Sequence, residues 1–222
     1  MRFNRILSGL TALAFAALVS VTASAQQGIQ QPDHPPPPGM RGSANIQVLS
    51  HIPLGAPGSV SDVEIEQDPS RPYAYVARRN GEIGFDVIDL SDPDNAKVIR
   101  RWRIENQDLH TGGAMDGRYF KHNDRTYYVQ SMQLRQSGPN SDVGAIVFDV
   151  TDLPEQMTEV GRVRQGDSPG GFHNIFMYNH SSGSPLLFAT SAGYAKVFDM
   201  GQFVDGDQTE MDPVLRDDNR EL

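Results

Sequence analysis

There is no cysteine among the 222 residues of this chain. Disulfide staples, thiolate nucleophiles, cysteine metal sites and a lipid anchor on an N-terminal cysteine are thereby excluded. Equally absent are a Gly-x-Ser-x-Gly nucleophile elbow, a phosphate-binding glycine loop and a His-Glu-x-x-His zinc helix. Basic residues are in deficit, with 19 Lys and Arg against 28 Asp and Glu and a formal charge of −9. Phosphate backbones need clustered cations, so nucleic acid is not expected as a partner. The two Arg-rich pieces, Arg78-Arg79 and Arg100-Arg101-Trp102-Arg103, are expected to be solvated strand faces, with Arg101 and Arg103 on one side and Trp102 on the other.

Long apolar runs are missing except at the start. Ile6 to Val21 follows Arg2 and Arg5 and precedes Ala23-Ser24-Ala25, which together read as a signal peptide over 1–25, cleaved before Gln26. An uncleaved membrane anchor is the alternative, but the run is short for a full span and carries Ser8, Gly9, Thr11 and Ser20. The expectation is an exported protein, periplasmic or extracellular, with no membrane span after cleavage. Residues 26–43, rich in Gln and Pro and including the run Pro35 to Pro38, read as a disordered or polyproline tether.

What the chain has in abundance is repetition. Val87-Ile88-Asp89-Leu90-Ser91-Asp92-Pro93 returns as Val147-Phe148-Asp149-Val150-Thr151-Asp152 and again as Val197-Phe198-Asp199-Met200. A strand-like run precedes each copy, at Tyr73 to Arg78, Thr126 to Met132 and Leu186 to Ser191, and a turn-forming stretch joins the two into a hairpin. A further run lies before each hairpin, and Lys97 to Ile104 and Thr158 to Arg164 follow the first two. Each unit thus offers four short strands. The three aspartates stand 60 and then 50 residues apart, somewhat above the ~40–50 usual for a four-stranded propeller blade, and the polar insertion Gln133 to Asp142 accounts for the excess. An Asp at a strand end can accept backbone N–H groups of the following turn, so these aspartates are expected to shape turns and not to perform chemistry.

The order Tyr73-Ala74-Tyr75-Val76-Ala77, a glycine, Phe85-Asp86-Val87-Ile88-Asp89-Leu90-Ser91-Asp92-Pro93, then a valine-bearing strand such as Glu159-Val160-Gly161, resembles the LVIVD-repeat family of β-propellers. The likeness spans about residues 60 to 200 and weakens in the third unit, where Gly201 replaces Ser or Thr. It implies an all-β fold of four-stranded antiparallel blades in an exported protein, without implying a reaction. Blades are expected at about 60–104, 109–164 and 171–216, within a propeller region 44–222 that Ile46 to Ile52 enters as a lone strand. Three blades fall short of the four that a closed propeller needs, so the ring is expected to be incomplete and to self-associate through exposed blade edges.

Innermost strands line a propeller's axis, which makes their polar residues the candidate site: Ser61-Asp62, Asp108-Leu109-His110 and Gly171-Phe172-His173-Asn174. Two readings of His110 and His173 stay open. They can hydrogen-bond between blades and hold register, or converge on a divalent metal such as zinc or copper, as in the similar selenium-binding propellers. His122 and His180 sit beside turns, and His34 and His51 have no partner pattern. Asp205 to Asp212 spaces its oxygens like a calcium loop, but Glu210 stands where glycine is required. Tyr73, Tyr75, Tyr127, Tyr128, Phe85, Phe148 and Trp102 are expected to pack between blades. Two functions follow: a binding or scaffold module for a protein or small-molecule ligand, or a metal-dependent hydrolase or oxidase using the channel histidines.

Overall fold

A computed structural model describes residues 42–43, 45–135, 140–165, 170–191 and 193–206. The signal segment, nearly all of the tether and most of the calcium-like stretch lie outside the described residues. Each hairpin expected from the apolar runs is present. β1 (Val60–Ile65), β2 (Tyr73–Arg78), β3 (Gly84–Asp89) and β4 (Lys97–Arg103) form one antiparallel meander in that order. β5 (Gly113–His122), β6 (Arg125–Gln133), β7 (Val143–Asp149) and β8 (Thr158–Arg164) form a second. β9 (Ile175–Asn179), β10 (Pro185–Ser191) and β11 (Tyr194–Asp199) form a third, followed by a short helix α1 (Met200–Asp205). The expected fourth strand of the third blade lies outside the described residues.

These meanders are the blades of an all-β propeller, with the first strands β1, β5 and β9 brought together at the centre. Among the described residues the three sheets do not close a ring. Alternation along each strand sends side chains to two faces, and both faces of the middle sheet are buried between neighbours. Tyr75 stacks on Tyr128 with ring centroids 4.2 Å apart, and Phe85 meets Phe148 edge-on at 4.8 Å. Trp102 adds an edge contact to Phe148 at 5.1 Å, so the aromatic residues pack between blades as expected. A second cluster, including Val129, Val147, Phe172, Leu187 and Phe198, joins the middle sheet to the third.

The repeated aspartates shape turns. Asp89 Oδ1 accepts the Ser91 N–H at 2.9 Å, and Asp149 Oδ1 accepts the Thr151 N–H at 3.0 Å. Asp199, whose copy lacks the Ser or Thr, caps α1 by accepting the Gln202 N–H at 3.1 Å. Gly81 and Gly193, at φ +79° and +87°, make the hairpin turns that their sequence contexts require.

Two expectations are corrected. Residues 46–52 form no strand: Ile46 makes an isolated bridge to Ser43, and Ile52 and Leu54 instead cover the outer face of the first sheet against Ala74, Val76 and Ile88. The glycines and prolines of Pro53 to Gly58 explain this, since they turn the chain before it can extend along a partner. Nor is Arg78 solvated. It is buried against Asp86 at 2.7 Å, and Arg103 reaches the other oxygen of that carboxylate at 2.6 Å. Alternation on β4 does place Arg101 and Arg103 opposite Trp102, but their side faces a buried acid.

One further clamp ties the first two blades. The fully buried Glu66 carboxylate takes two guanidinium bonds from Arg71, at 2.7 and 3.1 Å, and the Tyr75 hydroxyl at 2.6 Å. Arg71 gives two further donors to the carbonyls of Val150 and Thr151, both at 2.8 Å, in the second aspartate phrase. Replacing Arg71 by Met would strand a buried carboxylate, at an expected cost of about 3–5 kcal/mol in urea unfolding. Replacing Tyr128 by Ala should cost a similar ~3–5 kcal/mol, from the lost stack and the cavity it leaves.

Candidate functional site

The three central strands assemble a charged knot. β1 and β5 each carry a register shift where an aspartate stands, between Val60 and Asp62 and between Ala114 and Gly117. Such bulges re-aim side chains, and here they turn Asp62 toward β5 and Asp116 toward β9. Asp62 Oδ2 accepts the Gly117 N–H at 3.1 Å, and Ser61 Oγ donates to the Ala114 carbonyl at 2.7 Å. Asp116 Oδ2 accepts the Ile175 N–H of β9 at 2.9 Å. The inner aspartates thus stitch β1 to β5 and β5 to β9.

Asp116 is itself held from behind. Its N–H donates to Ser131 Oγ at 2.9 Å, and its carbonyl accepts Gln130 Nε2 at 3.0 Å. Gln130 in turn accepts the Tyr128 hydroxyl at 2.8 Å. That hydroxyl occupies the space that a side chain at residue 117 would need, since a Cβ on Gly117 would stand 2.1 Å from it.

Arg118 Nη1 lies 2.5 Å from Asp116 Oδ1, 3.3 Å from Asp62 Oδ2 and 3.9 Å from Glu64 Oε2. Three carboxylates therefore share one guanidinium. Burial is the main force holding the Glu64 carboxyl above its ordinary range, with Arg118 opposing it. Burial raises Asp116 as well; the Ile175 N–H opposes this, and a hydrogen bond shared with Asp62 adds to it.

Two hollows open on either side of the knot. The larger, about 810 Å³, is bordered by Asp62, Glu64, Arg118 and the apolar Val63, Ile65 and Phe176. Lys121 also lines it, but its ammonium is paired with Asp68 at 2.9 Å. The smaller, about 370 Å³, shares Asp62 and Arg118 and adds Asp116, Arg79, His173 and Asn174.

The candidate histidines lie before the strands rather than on them. His173 Nδ1 pairs with Gln133 Oε1 at 2.9 Å and its backbone N–H donates to the Thr190 carbonyl at 3.2 Å. His110 is buried at the end of the 3-10 turn Gln107–Leu109. His173 borders the smaller hollow, whereas His110 is not among the residues lining either. Among the described residues no three His, Asp or Glu are grouped to hold a metal ion. His122 bonds Asp205 at 2.8 Å beside α1, His180 bonds Ser182 in its turn, and His51 is exposed.

Sequence reasoning found Ser61 and Asp62 but passed over Glu64, Asp116 and Arg118. Their signal was present: Asp62-x-Glu64 and Asp116-x-Arg118 occupy the same places in successive first strands, since Glu64 pairs with Tyr75 and Arg118 with Val129.

No family model matches this chain, and no curated protein matches it. Among solved structures it is similar to a thermostable family-43 glycoside hydrolase, with 14% identity and a TM-score of 0.44 over 71% of this chain. The chain spans about half of that structure, 52% of its length.

The raised carboxyl of Asp116 makes a signed prediction. A carboxyl raised in the folded state costs stability when ionised, and that cost disappears as pH falls through its folded pKa toward the unfolded value of about 3.9. Relative to Asp116→Asn, the native protein should therefore gain stability between pH 7 and pH 4, read from paired urea titrations.

Proposed function

We propose that this chain is an exported propeller of the LVIVD-repeat kind that works as a binding module, with the axial groove on β1, β5 and β9 as its contact surface. Its ligand carries positive charge beside an apolar part. The observation that carries this reading is the excess of Asp62, Glu64 and Asp116 over Arg118 and Arg79, next to the exposed Val63, Ile65 and Phe176. A cationic group entering the groove would relieve repulsion among carboxylates that burial already disfavours, while its apolar part would cover the rim. No reaction is assigned, and export rests on the signal-like N-terminal segment.

Benzylamine and benzoate, matched in shape and opposite in charge, test the reading by NMR titration. Benzylamine should shift the amides of Glu64, Arg118 and Phe176 while benzoate leaves them in place. The double variant Asp62→Asn, Glu64→Gln should weaken benzylamine about tenfold, equivalent to ~1.4 kcal/mol. Equal response to both probes, or shifts confined to another surface, would sink it.

A further inference from the structure

Strand register makes the three sheets comparable residue by residue. Val87 stands opposite Tyr75, Val147 opposite Val129, and Val197 opposite Phe188. Tyr75 and Val129 point toward the following blade and are wholly buried by it. Phe188 holds the same place in the third sheet and is 39% exposed, with its β9 neighbours Phe176 and Tyr178 at 61% and 47%. A face that is interior in two blades is partly bare in the third, open at Phe176, Tyr178 and Phe188 although Val197 stays buried. It carries one acid, Asp199 opposite Leu186 at its edge, and is otherwise uncharged: Leu186, Phe188 and Thr190 on β10 lie beside Asn174, Phe176 and Tyr178 and opposite Asp199, Val197 and Ala195.

Within the chain, such a face meets the opposite side of the next sheet. A second copy cannot offer that side in head-to-tail fashion, because Ile52 and Leu54 already cover the outer face of the first sheet. What a second copy does offer, uncovered, is the same apolar face. We infer that this face of the third sheet is a homodimer interface, in which two copies stack Tyr178 and Phe188 on one another about a twofold axis. A twofold contact brings each patch against its own copy, so a face whose one acid sits at its edge is self-complementary where the rest of a chain of charge −9 would repel. Aligned sheets packing at about 10 Å supply the geometry.

Sedimentation of the purified protein over about 1–100 μM tests this, with circular dichroism to confirm the fold. The native protein should sediment at twice the chain mass at the upper end, and the association should not weaken between about 50 and 500 mM salt. Phe188→Asp should sediment as a monomer with unchanged dichroism, and Tyr178→Ser serves the same purpose if that variant fails to fold. A native protein that stays monomeric throughout would assign the face to another occupant, such as a further blade, and overturn the proposal. So would a dimer that survives either folded variant.

Discussion

The stack of Tyr75 on Tyr128 is the contact on which the rest of the molecule depends. It fixes how far apart the first two sheets stand, and it fixes where the Tyr128 hydroxyl projects. From that hydroxyl the order passes through Gln130 to the backbone of Asp116, and so to the arrangement of charges at the centre. A ring stack worth about 0.5–1.5 kcal/mol beyond its area burial thus has a reach greater than its energy. The Glu66–Arg71 clamp reinforces the same joint from the side, binding the hydroxyl of Tyr75 at one end and two carbonyls of the neighbouring blade at the other.

The centre shows how a repeat acquires individuality. The sheets repeat their hairpins and their aspartate turns, but at one position of the first strand the side chain is Glu64, then Arg118, then Phe176. Equivalent backbone places therefore present an acid, a base and an aromatic to one axis. The bulges in β1 and β5 enlarge the difference, because they release Asp62 and Asp116 from the strict alternation of a strand. Structural and chemical duties overlap here: the carboxylates that stitch neighbouring strands are the ones that line the hollows.

Fold was readable because it rests on local rules. Val-Ile-Asp-Leu-Ser-Asp names a strand and its turn within six residues, and Asn80-Gly81 names a hairpin within two. The site rests on residues far apart in sequence, such as Asp62 and Arg118, whose meeting depends on how sheets stack. Histidines drew attention by type, yet they stand in the loops before β5 and β9, while the charges that converge are ordinary acids and an arginine. Ile46 to Ile52 misled because an apolar run is strand-like only where a partner edge accepts it; here Ile46 and Leu49 stay exposed and Ile52 packs over the first sheet. Arg78 misled because a charge on a strand is solvated unless an acid lies opposite, and Asp86 does.

Uneven burial has a consequence for how the molecule comes apart. Within one copy and among the described residues, the middle sheet is enclosed on both sides, the first is closed by its neighbour and by Ile52 and Leu54, and the third is supported from one side only. In a row of units that touch only their neighbours, local opening starts at the least supported end. Backbone amides of β9 to β11 should exchange with solvent deuterium ahead of those of β6 and β7, so the chain has a direction of fraying that its repeated sequence alone does not announce.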